Sequence, residues 1–109
     1  MKIPEDVLIS QDKLLKYLLI HREQDDKSKF LAQAGFTDDN PHELETALRN
    51  LITKADAEED DNNQYGTFYL VKGQLLGMNE RELAVVTVWL KEIATDEYRF
   101  ITLKPWRKV

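Results

Sequence analysis

The sequence predicts an α+β fold, in which N-terminal helices pack on one face of a three- to four-stranded antiparallel meander sheet. Apolar residues recur at helical spacing in the first half of the chain and alternate with a period of two in the second half. The length of 109 residues suits a single domain with one core. We therefore expect one domain over 1–109, with a helical part at about 10–55, an acidic loop at 56–64 and the sheet at about 65–104.

Two short helices are predicted to precede a longer one. The segment before Ser10 is extended in character and is expected to form an edge strand or a lead into the first helix. Ser10 is a typical N-cap residue, and the apolar residues after it recur at helical spacing as far as Leu19. The next helix is predicted over 28–34, because Gly35 suits the left-handed position that ends a helix and Phe36 suits the hydrophobic contact that follows it.

The third helix has the clearest start signal in the chain. Asn40 is a capping residue, Pro41 stands at the first helical position and Glu43 stands at N3. Apolar residues then recur at helical spacing as far as Ala55. The sequence next becomes acidic, with five carboxylates in 56–61. Like charges at this density predict a solvated loop.

Strand periodicity begins after the acidic segment. Residues 65–71 alternate in residue types that favour strands, and Gly73 is predicted to mark a bulge or bend. The longest strand pattern is 83–90, which is apolar on both faces and rich in β-branched residues. Such a pattern is typical of a central strand that is covered on both sides. A last strand is predicted over 98–103, before Pro105 ends it.

Composition excludes several classes of function. The chain has no cysteine, which rules out disulfides, thiolate zinc sites and cysteine nucleophiles and favours a cytoplasmic protein. No apolar segment has the length or pattern of a signal peptide or a membrane span, so we expect no membrane association. Motifs for nucleotides, calcium, zinc proteolysis and serine hydrolysis are absent, and we expect neither a cofactor nor a metal site.

A few residues could carry chemistry, and each also has a structural explanation. His21 and His42 are suited to proton transfer but are expected to have structural roles near helix ends. Trp106 lies among the basic residues of the C-terminal tail, which could contact nucleic acid or form an ordinary charged tail. Thr87 and Thr102 interrupt apolar strands, where a hydroxyl either bonds a neighbouring strand or faces a site, and the first is favoured.

The chain resembles an uncharacterised family of small bacterial domains of unknown function. This family is largely cyanobacterial and related to the C-terminal domains of polymorphic toxins. The resemblance extends over nearly the whole chain and rests on short motifs: Ser28-Lys29-Phe30, Gly35-Phe36, Leu44 with Leu48, Tyr65–Val71 with Gly73 and Leu75-Leu76-Gly77, Val86–Trp89, and Ile101-Thr102 with Pro105. The helices-then-meander order is also similar to small ribonuclease toxins. That resemblance implies Lys29, Thr87 and Thr102 as the candidate catalytic residues.

Two functions of different classes follow. The favoured one is a non-catalytic protein-binding module that acts with a neighbouring small protein, in a toxin–antitoxin-like pair, and docks a basic neighbour through an exposed strand edge or the acidic loop. The alternative is a metal-independent ribonuclease in which Lys29 stabilises phosphate charge and Thr87 or Thr102 positions substrate. RNA stays open as a partner, although the net charge of −5 and the presence of Leu51, where related sequences often have histidine, disfavour it.

Overall fold

The computed structural model describes residues 1–19 and 27–106, and its elements confirm the predicted α+β fold. The helices are α1 (Gln11–Lys13), which continues as a π-helix (Leu14–Leu19), α2 (Ser28–Ala32) and α3 (Pro41–Lys54). The strands are β1 (Ala57–Asn63), β2 (Gly66–Leu76), β3 (Glu82–Glu92) and β4 (Tyr98–Pro105). They form one antiparallel sheet in the order β1-β2-β3-β4. No helix in the described ranges is both long and apolar enough to cross a membrane.

Two of the predicted helix boundaries are confirmed by their hydrogen bonds. The Ser10 hydroxyl accepts the backbone N–H of Lys13 at 3.3 Å, which makes Ser10 the N-cap of α1. Gly35 has a φ of +87° and ends α2, while the N–H of the buried Phe36 donates to the Leu31 carbonyl at 3.2 Å. The helix itself is two residues shorter than the predicted 28–34.

The side chain of Asn40 has a different role from the predicted one. Asn40 occupies the N-cap position of α3, but its side chain makes no capping bond. Its Oδ1 accepts the Thr37 N–H at 2.8 Å, and its Nδ2 donates to the Gly35 carbonyl at 3.1 Å. The Asn40 amide group therefore stabilises the connection between α2 and α3. It does not accept a hydrogen bond from the unpaired backbone N–H groups at the start of α3.

The prediction of an acidic loop at 56–64 is wrong, because most of this segment is the edge strand β1. Its backbone pairs with β2 from Ala57↔Val71 to Asn63↔Gly66, with a bulge at Asp60. Only Ala57 is buried, and every side chain after it is exposed. The side chains of an edge strand can point into water, where like charges are tolerated, while its backbone forms hydrogen bonds with the neighbouring strand. Pairing with β2 therefore overrides the low strand propensity of these residues.

The core lies between the helices and one face of the sheet, which we call the inner face. Val71 and Leu75 of β2 and Val85 and Trp89 of β3 are fully buried on this face. The helices contribute Leu14, Leu31, Leu44, Leu48, Leu51 and Ile52 to the same cluster. This two-layer arrangement confirms that the helices pack on one face of the meander.

Two details of β2 and β3 differ from the prediction. Gly73 causes no bulge, since β2 stays in continuous register with β3 from Gly66 to Leu76. A Cβ at Gly73 would lie 2.6 Å from Cδ1 of Leu51, so the glycine lets α3 approach the strand closely. The other side of β3 lies outside the core cluster that the helices form with the inner face, although Val86 and Leu90 on that side are buried.

Candidate functional site

The three candidate catalytic residues do not come together. In the register of β3 and β4, Thr87 pairs with Leu103 and Thr102 pairs with Val88. Side chains of neighbouring residues in a strand point to opposite faces, and cross-strand partners share a face. Thr87 therefore points to the inner face and Thr102 to the opposite one. Lys29 is an exposed residue of α2.

Thr87 is part of a buried hydrogen-bonded chain. Its Oγ1 donates to the Val71 carbonyl of the neighbouring strand at 2.8 Å and accepts the indole N–H of Trp89 at 2.7 Å. Thr87 and Trp89 both have 0% exposure. The hydroxyl thus satisfies the one polar group of the largest core side chain, which is the cross-strand explanation favoured by the sequence.

We expect Thr87→Val to lower the free energy of unfolding by about 1–2 kcal/mol, because the change keeps the shape of the side chain but leaves the indole N–H buried without an acceptor. Urea unfolding followed by circular dichroism measures the loss. Thr102→Val is the matched control on the other face and should change stability by less than about 0.5 kcal/mol. Equal effects of the two substitutions would contradict this role of Thr87.

Thr102 and Trp106 are also involved in contacts within the chain. The Nζ of Lys27 donates to Oγ1 of Thr102 at 3.2 Å, across from the start of α2 to β4. The backbone N–H of Trp106 donates to the Ala84 carbonyl at 2.9 Å and so extends the pairing of β4 with β3. Two of the basic residues predicted around Trp106, Arg107 and Lys108, lie outside the described residues.

The sheet face turned away from the helices, which we call the outer face, has an apolar middle. It is formed by alternate residues of the two central strands: Phe68, Leu70, Val86, Val88 and Leu90. Leu70 lies directly opposite Val88, and Phe68 lies opposite Leu90. Val86 and Leu90 are 6% and 9% exposed, whereas the other three side chains are partly exposed. None of these five residues belongs to the core cluster that the helices form with the inner face.

The outer face is bordered on one side by the acidic strand β1, whose carboxylates Glu58, Glu59, Asp60 and Asp61 we call the acidic rim. Glu58 pairs with Leu70 and Asp61 pairs with Phe68, so two carboxylates stand directly beside the apolar middle. Among the described residues, only Glu58 of the rim forms an ion pair, with Lys72 at 3.9 Å.

The two sheet edges also differ in how far they are covered. On β4 the backbone of Leu8 bonds to Tyr98 and Phe100 and covers the edge over a short stretch. On β1 the Ala57 N–H donates to the Met1 carbonyl. From Glu58 onward, the edge of β1 that faces away from β2 has no backbone partner in the described chain. The open edge is therefore the acidic one.

A cluster of two tyrosines and a lysine, which the sequence did not reveal, lies near the end of the sheet on the inner face. The rings of Tyr69 and Tyr98 are 5.9 Å apart, and the Nζ of Lys91 lies 5.8 Å from the centroid of the Tyr98 ring. The pKa of Tyr98 is raised mainly by burial of its side chain and, to a smaller extent, by the neighbouring Tyr69. The hydrogen bond that the Lys91 ammonium group donates to the Asp96 carboxylate raises the pKa of Lys91. Both shifts favour the protonated form of the group, which is the opposite of what a general base needs.

The other candidates from the sequence form no chemical site in the described ranges. The imidazole of His42 lies 3.2 Å from the carboxylate of Glu43, its neighbour at the start of α3. His21 lies outside the described residues. Within residues 1–19 and 27–106, no three carboxylate or histidine side chains converge in a group that could hold a metal ion.

Architecture and site together define a small two-layer α+β domain with an open, acid-bordered sheet face. The chain belongs to the family described as domain of unknown function (DUF6883), whose model matches residues 2–107. This match confirms the predicted resemblance to a domain of unknown function, while the largely cyanobacterial distribution stays a prediction. No curated protein matches the chain.

A solved structure has a similar fold. It is described as a contact-dependent growth inhibition toxin–immunity protein complex from Klebsiella pneumoniae 342, and one of its chains matches with a TM-score of 0.68. The match covers 94% of this chain and 96% of that chain, at 17% sequence identity. At this identity the likeness concerns the fold alone.

Proposed function

We propose that this protein is a non-catalytic binding module of a toxin–antitoxin-like pair, which acts in the cytoplasm and binds a small basic protein through its outer face and acidic rim. The observation that carries the proposal is the apolar middle of the outer face, which borders an open acidic edge strand. The fold shared with a chain of a toxin–immunity protein complex supports this class of function.

The apolar middle supplies the hydrophobic part of the proposed interface. Leu70, Val88 and Phe68 present partly exposed aliphatic and aromatic surface on a sheet face that lies outside the core cluster. Contiguous apolar patches on a small protein are typical of interaction sites, and the buried centre of an interface is depleted in charge. The same apolar residues in β3 produced the prediction of a strand covered on both sides, and a bound partner would provide the second cover.

The acidic rim determines the chemistry of the partner. Three of its carboxylates, those of Glu59, Asp60 and Asp61, form no ion pair with a described residue. With a net charge of −5, the chain attracts a basic protein over a distance and repels a second copy placed rim to rim. A partner with a basic border around an apolar patch fits this surface best.

The ribonuclease alternative is less well supported. A metal-independent nuclease needs a base, an acid and phosphate-binding cations around one scissile bond. The candidates Thr87 and Thr102 point to opposite faces of the sheet, and Thr87 has no exposed surface. We therefore retain protein binding as the proposed function.

The experiment is co-expression with the small protein encoded beside this one, followed by size-exclusion chromatography and kinetic binding measurements. We expect one stable heteromeric complex, with an association rate that falls as salt is raised. The double variant Glu58→Lys, Asp61→Lys should weaken binding by about tenfold, mainly through slower association, because it reverses the charge beside the apolar middle.

The matched control is Asp38→Lys, Asp39→Lys, which changes the net charge equally at exposed sites between α2 and α3. It should leave the affinity within about twofold of the unaltered protein, since distant exposed charges are screened by salt. Absence of a complex, or a complex made only of copies of this chain, would overturn the proposed function. Equal losses in both double variants would overturn the assignment to the acidic rim.

A further inference from the structure

A groove lies beside β4, where the N-terminal segment turns into α1. Its volume is about 760 Å³, in the range of small-molecule sites. Its apolar lining comes from Leu8, Ile9 and Phe100, and its charged lining comes from Asp12, Lys13, Lys16 and Arg99.

The charged lining of the groove is positive, although the chain as a whole is acidic. Three cations face one carboxylate, and neither Lys13 nor Lys16 forms an ion pair with a described residue. The Nε of Arg99 lies 2.6 Å from the Glu92 carboxylate, so the charge of Arg99 is paired. Within the described ranges, both lysines of the groove therefore lack an ion-pair partner, and Asp12 is the one carboxylate in the lining.

Lys13 is the most constrained of these cations. It is partly buried at the end of α1, and its ammonium group is close enough to Arg99 for repulsion between the two charges. The pKa of Lys13 is lowered mainly by its partial burial and, to a smaller extent, by the positive charge of Arg99. An anion placed between Lys13 and Arg99 would replace this repulsion by attraction. The other charged residues of the lining are Asp12 and Lys16.

We propose that this groove binds a small phosphate monoester that carries a ring or another apolar group. A phosphate monoester has a charge of about −2 at neutral pH, which suits a lining where three cations outnumber one carboxylate. Charge-assisted hydrogen bonds to phosphate oxygens are suited to lysine ammonium and arginine Nη groups. The apolar group of the ester would lie mainly on the exposed side chain of Leu8, next to the buried Ile9 and Phe100. This site does not depend on the proposed partner binding.

The test is calorimetric titration of the purified chain with phenyl phosphate, inorganic phosphate and phenol. Phenyl phosphate should bind saturably and more tightly than inorganic phosphate, and phenol should show no saturable binding. Lys13→Gln should weaken the affinity for phenyl phosphate by about fivefold to tenfold, as expected for one charge-assisted contact at a partly exposed site. The Lys13 pKa, followed by NMR of its side-chain methylene, should rise when phenyl phosphate is bound.

Lys54→Gln is the matched control, because it removes the same charge at an exposed position at the end of α3. It should bind phenyl phosphate as the unaltered protein does, and circular dichroism should show all variants folded. No saturable binding of phenyl phosphate, or equal binding by the Lys13→Gln and unaltered proteins, would overturn the site. Equal affinity for inorganic and phenyl phosphate would overturn the role of the apolar lining.

Discussion

Replacing Trp89 with alanine should lower the free energy of unfolding by about 3–5 kcal/mol, which is the usual loss when a large aromatic side chain leaves a cavity in a core. Trp89 is fully buried on the inner face of the central strand β3. Its ring meets the ring of Phe100 edge to face, with 5.1 Å between the centroids. Its indole N–H donates to the Thr87 hydroxyl, so the substitution also removes a buried hydrogen bond.

Urea unfolding followed by circular dichroism provides the measurement. Tyr65→Ala is the control aromatic substitution, because Tyr65 is 65% exposed, and it should change stability by less than about 0.5 kcal/mol. The double variant Thr87→Val, Trp89→Ala should lose less than the sum of the two single losses, since both remove one shared hydrogen bond. Additive losses, or a loss at Trp89 no greater than at Tyr65, would show that these side chains are not the centre of the core.

Replacing Leu70 with lysine should abolish most of the binding to the partner protein while leaving the fold intact. Leu70 lies in the apolar middle of the outer face, opposite Val88, and its side chain is partly exposed. Interface residues at such central positions commonly contribute about 2 kcal/mol or more, which corresponds to about 30-fold in affinity. The lysine would also place a positive charge against a basic partner.

Ile93→Lys makes the matched comparison, because it introduces the same charge at a residue that is 68% exposed between β3 and β4. The dissociation constants of both variants are measured by titration calorimetry, and their unfolding curves check that each one is folded. Ile93→Lys should bind within about threefold of the unaltered protein, since isolated exposed residues contribute little. A larger loss for Ile93→Lys than for Leu70→Lys would place the interface elsewhere.

Most of the fold was predictable because its signals are local. Ser10 and Gly35 mark helix ends through their own backbone and side-chain preferences, and the switch in apolar spacing near Tyr65 marks the start of the sheet. The acidic strand was missed because its stability comes from pairing with β2, which no property of residues 57–63 reveals. The π-helical turn after Lys13 was also missed, since its apolar spacing resembles that of an α-helix.

The site was less predictable, because it depends on which residues share a face. Thr87 and Thr102 both interrupt apolar strands, and only the register between β3 and β4 shows that they point in opposite directions. The apolar pattern of β3 correctly indicated two apolar faces but could not reveal that the helices cover only one. The groove combines Lys13 with Arg99, which are distant in sequence and meet through the single bridge between Leu8 and Arg99.

The most direct measurement of the proposed interface is NMR cross-saturation on the complex with the partner protein. The chain is deuterated and carries protonated methyl groups, and the unlabelled partner is irradiated. We predict the largest loss of signal at the outer-face methyls of Leu70, Val86, Val88 and Leu90, with little loss at the inner-face methyls of Val85 and Leu75. Loss confined to the helices, or spread equally over both faces, would contradict binding through the outer face.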